Sequence, residues 1–185
     1  MYRHRGTSGF ISRDVFVFSC FVYAAPTVSE RPLEARVMVQ QCSRARVKTR
    51  AGVDGAESQY AERFGKNVDF DCPTVLSLVA DSIMNTRFFR TSLRRQVSVL
   101  DLRGSVLLVP QESLGFEPGP RRSMQSRGMS EAWVSKQLFS SLYLHCTQLL
   151  CARATGEGAV EQGLYGQRQE IEITSTEPMS HMLEF

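Results

Sequence analysis

Few of the local patterns that announce a mechanism occur in this 185-residue sequence. It has no Gly-x-Ser-x-Gly elbow, no phosphate-binding Gly-x-x-x-x-Gly-Lys loop, no Gly-x-Gly-x-x-Gly and no His-Glu-x-x-His. Their absence removes the signatures of α/β hydrolases, P-loop nucleotide enzymes, dinucleotide-binding folds and zincins. Histidine is scarce: His4, His145 and His181 have no sequence neighbour that marks a triad, and no carboxylate pair stands out. A conventional nucleophile–base pair is therefore unsupported. The five cysteines (Cys20, Cys42, Cys72, Cys146, Cys151) are odd in number and form no Cys-x-x-Cys pair. That argues against a disulfide framework or a zinc site, and for reduced, mostly buried thiols of an intracellular protein. The apolar run Val15–Tyr23 is far too short to span a membrane. No internal repeat is visible.

What is present is ordinary in bulk: 42% hydrophobic and 22% charged residues, as in a soluble globular protein. The length suits a single domain over residues 1–185 with a sizeable core. A net charge of +3 is weak, but Arg87, Arg90, Arg94 and Arg95 cluster, as do Arg121, Arg122 and Arg127. Such clusters suit a phosphate backbone, although charge alone favours a solvated face.

Along the chain, a basic Met1–Arg13, the apolar Val15–Tyr23 and Ala24-Ala25-Pro26 have roughly a signal-peptide layout. Asp14 at the edge of the run, and Phe and Val in place of Leu and Ala, favour a buried β-strand over 15–23 instead. Glu34–Gln40 alternates and predicts a second strand; Ala45–Thr49 predicts a third, ending at Gly52, Asp54 and Gly55. Ala56–Asp69 is polar and irregular and reads as loop. Asp71-Cys72-Pro73 marks a helix start, with Val75, Leu76, Val79 and Ile83 at helical spacing as far as about Phe88. Val97–Leu102 and Val106–Val109, flanking Arg103-Gly104, predict a β-hairpin whose second strand ends at Pro110 and exposes Gln111, Glu112 and Ser113. Phe116–Arg127 reads as a basic loop. Ser130 caps a long helix through about Arg153, with Trp133, Leu138, Leu142, Cys146 and Leu149 in its apolar stripe. Strands near Ala159–Gln162 and Gln169–Thr174 close the chain. This order predicts an α+β fold with a largely antiparallel sheet and two main helices.

Four segments taken together resemble the D-aminoacyl-tRNA deacylase superfamily: RVMVQQCSRARV (36–47), VSVLDLRGSVLLVPQESLG (97–115), GLYGQRQ (163–169) and TSTEPMSHMLEF (174–185). They look closest to the animal-type branch, which edits mischarged alanyl-tRNA. That branch's P-Q-A-T-L appears as Pro110-Gln111-Glu112-Ser113-Leu114. Its Y-G-N-R appears as Tyr165-Gly166-Gln167-Arg168, and its H-L-I-E-F as His181-Met182-Leu183-Glu184-Phe185. The resemblance implies a barrel-like core and a cytoplasmic homodimer with cross-subunit active sites. Its substrate would be aminoacyl-tRNA, with no metal and no organic cofactor. It implies hydrolysis of a D-aminoacyl or mischarged ester, in which the neighbouring ribose hydroxyl assists water and the protein supplies positioning and backbone donors.

By the same resemblance Ser113 takes the place of the family threonine beside the scissile ester, with Gln111 next to it. Leu114 and Gly115 shape the pocket, Pro178 matches the proline of a Gly-Pro motif, and Arg168 matches the arginine that orients that motif. Arg94, Arg95, Arg121 and Arg122 are the candidates for tRNA backbone contacts. Two departures stand out. Glu177 replaces the motif glycine, which permits close backbone approach, so its carboxylate would pair with the substrate ammonium, block the pocket or point away. A non-catalytic relative that binds acylated tRNA ends is the corresponding rival reading. The second departure concerns order: relatives carry an apolar strand between the hairpin equivalent to 36–49 and the first helix, where this chain has the polar stretch 55–70. Residues 15–23 have the character to fill that sheet position.

Overall fold

The computed structural model of the chain describes residues 15–24, 33–49, 73–90, 94–102, 104–126, 131–153, 158–175 and 179–185. The elements are β1 (Val15–Ala24), β2 (Leu33–Cys42), β3 (Arg44–Thr49), α1 (Pro73–Asn85), β4 (Phe89–Arg90), β5 (Gln96–Val97) and α2 (Val99–Leu102). They continue with β6 (Ser105–Pro110), β7 (Phe116–Pro118), β8 (Met124–Ser126), α3 (Ala132–Arg153), β9 (Val160–Gln162), β10 (Gln169–Thr174) and β11 (Ser180–Glu184). Short 3-10 turns occupy Glu112–Gly115 and Pro120–Arg122.

The α+β class holds: a five-stranded sheet in the order β11-β2-β1-β6-β9 carries two long helices, α1 and α3. The sheet is mixed, however, and open. β11 and β2 pair antiparallel, as do β2 and β1, whereas β6 pairs parallel with both β1 and β9. The expected barrel-like closure does not occur among the described residues, because β11 and β9 stand at the two edges. Parallel pairing between β1 and β6 joins segments distant in sequence, so no local pattern could signal it.

The predicted hairpin over Val97–Leu102 and Val106–Val109 is also replaced. β5 pairs with β4, Val99–Leu102 turns into the one-turn helix α2, and only β6 enters the main sheet. The cause is a reciprocal cap. The Asp101 N–H donates to Ser98 Oγ (3.1 Å) and the Ser98 N–H donates to Asp101 Oδ2 (3.0 Å). The Gly104 N–H then closes on the Val99 carbonyl at 3.2 Å.

Side chains alternate on the sheet and sort into two faces. Phe18, Cys20 and Val22 of β1, Val37 and Val39 of β2, and Val106 and Leu108 of β6 meet α1 and α3 in the main core. α1 contributes Leu76, Val79, Ala80, Ile83 and Met84; α3 contributes Leu138, Phe139, Leu142, Cys146 and Leu150. That i, i+4, i+8 spacing is the stripe of a helix lying on a sheet. Trp133, expected in that stripe, is 53% exposed, because it precedes the turns of α3 that cross the sheet. α1 stops at Asn85, whose side-chain amide binds the Asp81 carbonyl, one turn short of Phe88. On the opposite face Val17, Leu107, Val109 and Cys42 form a smaller cluster with Ala45 and Val47 of β3. Among the described cysteines, Cys20, Cys42 and Cys146 are buried free thiols and Cys151 is an exposed one. Burial pushes the Cys20 thiol well up, Cys42 up to about 11 and Cys146 up to about 12. The polar stretch 56–69 and Cys72, Arg127 and Ser130 lie outside the described residues.

Candidate functional site

The Gln111–Gly115 turn sits where β6 leaves the sheet. The Gln111 N–H donates to the Cys20 carbonyl of β1 (2.9 Å), extending the parallel pairing by one residue. The chain then curls into a 3-10 turn, in which the Leu114 N–H donates to the Gln111 carbonyl at 3.3 Å. The first N–H groups of such a turn, here those of Glu112 and Ser113, have no acceptor within it. Leu114 and Gly115 are buried, and Glu112 and Ser113 are exposed. Gln111 Nε2 donates to Ser113 Oγ at 3.0 Å. An amide in that role orients the hydroxyl and cannot take its proton, so the pair is not a nucleophile–base dyad.

The turn covers the helix-free face of the sheet. Leu114 packs on Met38 of β2. The period of two puts Arg36, Met38 and Gln40 on that face, opposite Glu184, Met182 and Ser180 of β11 in register. Gln40 Nε2 donates to Ser180 Oγ at 3.3 Å. Arg36 reaches three elements. Nη1 donates to the Leu114 carbonyl (3.1 Å), Nη2 pairs with Glu117 Oε1 of β7 (3.0 Å), and Nε pairs with Glu184 Oε1 of β11 (2.9 Å).

The Gly163–Gln169 segment flanks the turn from the β9 side. The Gly163 N–H donates to the Leu108 carbonyl at 2.8 Å. Gln169 folds back on Leu164: Oε1 accepts from the Leu164 N–H (2.9 Å) and Nε2 donates to the Leu164 carbonyl (2.8 Å). A Cβ at Gly163 would lie 2.2 Å from Gln169 Oε1 and 3.1 Å from Pro110 Cδ, so the Gln169 amide would have to move to admit one. Gly166 turns the segment with φ +74°, in the left-handed region that favours glycine. Tyr165 packs its ring against Phe139 of α3, centroids 6.4 Å apart, and its hydroxyl interacts with Ser135 and Glu112. Desolvation raises the Tyr165 pKa. The Ser135 hydrogen bond opposes that rise, and the Glu112 charge and hydrogen bond add to it.

The other predicted residues are dispersed. Arg168 is exposed at the start of β10, and Glu177 and Pro178 lie outside the described residues. Arg94 and Arg95 are exposed just before β5, and Arg121 and Arg122 are exposed between β7 and β8. Arg94, Arg121 and Arg122 adopt φ of 58°, 56° and 60°, and are the only described non-glycine residues with positive φ. Such backbone is costly for a long side chain and concentrates at functional positions. Of the histidines, His181 stacks on Phe88 with centroids 5.1 Å apart. His145 lines an open cavity of about 430 Å³ between α1 and α3 that no predicted site residue touches. Arg36, Tyr165, Gln169 and Glu184 lie in the segments that carry the resemblance, but the sequence assigns them no role in the site. Arg36 carried a signal all the same: a charged residue between Ala35 and Val37 in an alternating strand must face away from the core.

Known proteins share both the sequence and the fold. The family described as D-Tyr-tRNA(Tyr) deacylase matches residues 38–184. The chain is 29% identical over 161 residues to D-aminoacyl-tRNA deacylase 2 of Homo sapiens, covering 82% of this chain and 95% of that one. It is 30% identical over 167 residues to the Gallus gallus protein of the same name, covering 84% and 98%. Among solved structures, one described as a probable eukaryotic D-amino acid tRNA deacylase superposes with a TM-score of 0.54 at 16% identity, over 95% of this chain and 96% of that one. The c-Myc DNA Unwinding Element Binding Protein superposes with a TM-score of 0.56 at 18% identity, over 80% and 97%. The family match runs from within β2 through the turn after β6 to the terminal strand, and the chain belongs to the D-Tyr-tRNA deacylase family.

Proposed function

We propose that this chain hydrolyses the ester linking an amino acid to the terminal adenosine of tRNA, acting on D-aminoacyl or mischarged aminoacyl-tRNA. The observation that carries the reading is the Gln111–Gly115 turn of a family member. It combines 3-10 N–H groups that have no acceptor within the turn, a hydroxyl held by an amide and, among the described residues, no carboxylate or histidine hydrogen-bonded to that hydroxyl. That set suits an ester already activated by its own vicinal hydroxyl. Water adds to the carbonyl carbon, the turn's N–H groups stabilise the developing oxyanion, and the C–O bond breaks as the ribose oxygen leaves with a proton. Ser113 and Gln111 stand beside the ester, and Leu114 and Gly115 form the wall. Arg168, Pro178 and Glu177 belong to the opposing half, contributed across the interface of a cytoplasmic homodimer. Arg94, Arg95, Arg121 and Arg122 contact the tRNA backbone, a role that the left-handed φ of three of them supports.

The first strand takes part in this reading. β1 lies between β2 and β6 and accepts the Gln111 N–H, so it stands in for the apolar strand that relatives carry before the first helix.

A second reading, a binder of acylated tRNA ends without turnover, is favoured by Glu177 in place of the motif glycine. Incubating purified protein with glycyl-, L-alanyl- and D-aminoacyl-tRNAs separates the two. Release from at least one supports hydrolysis, and a folded protein that releases none supports the binder.

A further inference from the structure

We infer that Arg36 is a positioning residue, holding the ester-facing turn and the C-terminal strand in one fixed relation. The inference rests on the deacylase reading of that turn. The guanidinium uses Nη1, Nη2 and Nε on three elements, β6's outgoing turn, β7 and β11, with partner distances of 3.1, 3.0 and 2.9 Å. Nη1 binds the Leu114 carbonyl, in the middle of the turn whose N–H groups serve the oxyanion. Pulling that carbonyl toward the sheet fixes the peptide planes of the turn, with Leu114 seated on Met38. Glu184 ties the same guanidinium to β11, the strand that follows the Glu177-Pro178 segment. One side chain thus ties the turn of its own site to the strand that follows the motif offered to the partner's site.

The ion pairs themselves contribute little to stability, since the Glu117 and Glu184 side chains are 40% and 66% exposed and solvent screens them. Orientation is what the arrangement provides. A lysine would keep the charge, but its point-like ammonium cannot span three partners as a planar fork does.

The test is steady-state deacylation by Arg36→Met, Arg36→Lys and Glu184→Gln, with melting temperature and amide hydrogen exchange of residues 112–116 followed in parallel. Arg87→Gln, which breaks the 3.7 Å pair with Asp101 elsewhere, serves as control. Misplacing the turn by about 1 Å should lower kcat roughly 10- to 100-fold with KM nearly unchanged. Arg36→Lys should recover part of that loss, and Glu184→Gln should lose less than Arg36→Met. An unchanged kcat in folded Arg36→Met overturns the inference, and so does a rise in KM alone, which would make Arg36 a direct substrate contact. If the unaltered protein releases no amino acid from any substrate, the deacylase reading fails and exchange still decides the positioning role. Faster exchange of the turn amides in Arg36→Met but not in Arg87→Gln upholds it, and equal exchange in both overturns it.

Discussion

Gly163→Ala is the sharpest probe of how the Gly163–Gln169 segment is held against Pro110. The added Cβ would lie 2.2 Å from Gln169 Oε1, so the Gln169 amide must move. Moving it breaks both hydrogen bonds to Leu164, the 2.9 Å bond from its N–H and the 2.8 Å bond to its carbonyl. At about 1 kcal/mol net each, the loss is about 2 kcal/mol. The Pro110 Cδ contact at 3.1 Å needs only a shift of a few tenths of an ångström. Against this, alanine reduces the freedom of the unfolded chain and returns roughly 0.5–1 kcal/mol, and the φ at Gly163 is one alanine can adopt. The expected net cost is therefore about 1–1.5 kcal/mol. It should be read as a lower urea midpoint at constant slope. The mechanism makes a second demand. In a Gln169→Ala background the clash and both bonds are already gone, so Gly163→Ala should be neutral or slightly stabilising there. A Gly163→Ala protein as stable as its parent, or an equal cost in both backgrounds, refutes the reasoning.

Four further expectations concern the fold. Ser98→Ala should cost about 1 kcal/mol by removing half of the reciprocal cap on α2. The Ser98 N–H, with Arg87 and Arg153 adding smaller contributions, holds the Asp101 carboxyl below its ordinary value. Folding lowers that pKa, so the stabilisation is complete above the ordinary carboxylate range and lost as pH falls through the folded value. Asp101→Asn should flatten the acid side of the stability–pH curve, and an unchanged curve would count against the cap. Thiol titration of the folded protein near pH 8 should lose one fast-reacting equivalent in Cys151→Ser, while Cys20, Cys42 and Cys146 react only on unfolding. Removing residues 1–30 should abolish folding, because β2 and β6 then lose the strand between them. A truncated protein that stays folded, as read by circular dichroism and a cooperative melt, would defeat the assigned place of β1.

The strands β1, β2, β3 and β10 and both long helices could be read from periodicity, since each depends on its own alternation or stripe. The hairpin over Val97–Val109 could not. Val99–Leu102 is an apolar run of a length that strand and helix share, and the Ser98–Asp101 cap that decides between them hides in a strand-like context. The parallel β1–β6 pairing and the absence of barrel closure are set by contacts between remote segments. In the site, Gln111 to Gly115 was legible through its motif. Arg36 was not, because its partners lie 78 and 81 positions away at Leu114 and Glu117 and on the last strand at Glu184. Tyr165 was visible only as part of a signature, and its link to Glu112 and Ser135 is a product of the fold.

In the proposed reaction the turn's backbone and the substrate's own hydroxyl carry the chemistry, with no protein nucleophile. This is tested most directly by the single-turnover deacylation rate on one accepted substrate, measured with a ribose and with a 2′-deoxy terminal adenosine, for the parent protein and for Ser113→Ala. Removing the hydroxyl should cause a large loss, and removing the Ser113 side chain only a partial one, about 10-fold or less. Full activity on the deoxy substrate together with an inactive Ser113→Ala would contradict this mechanism.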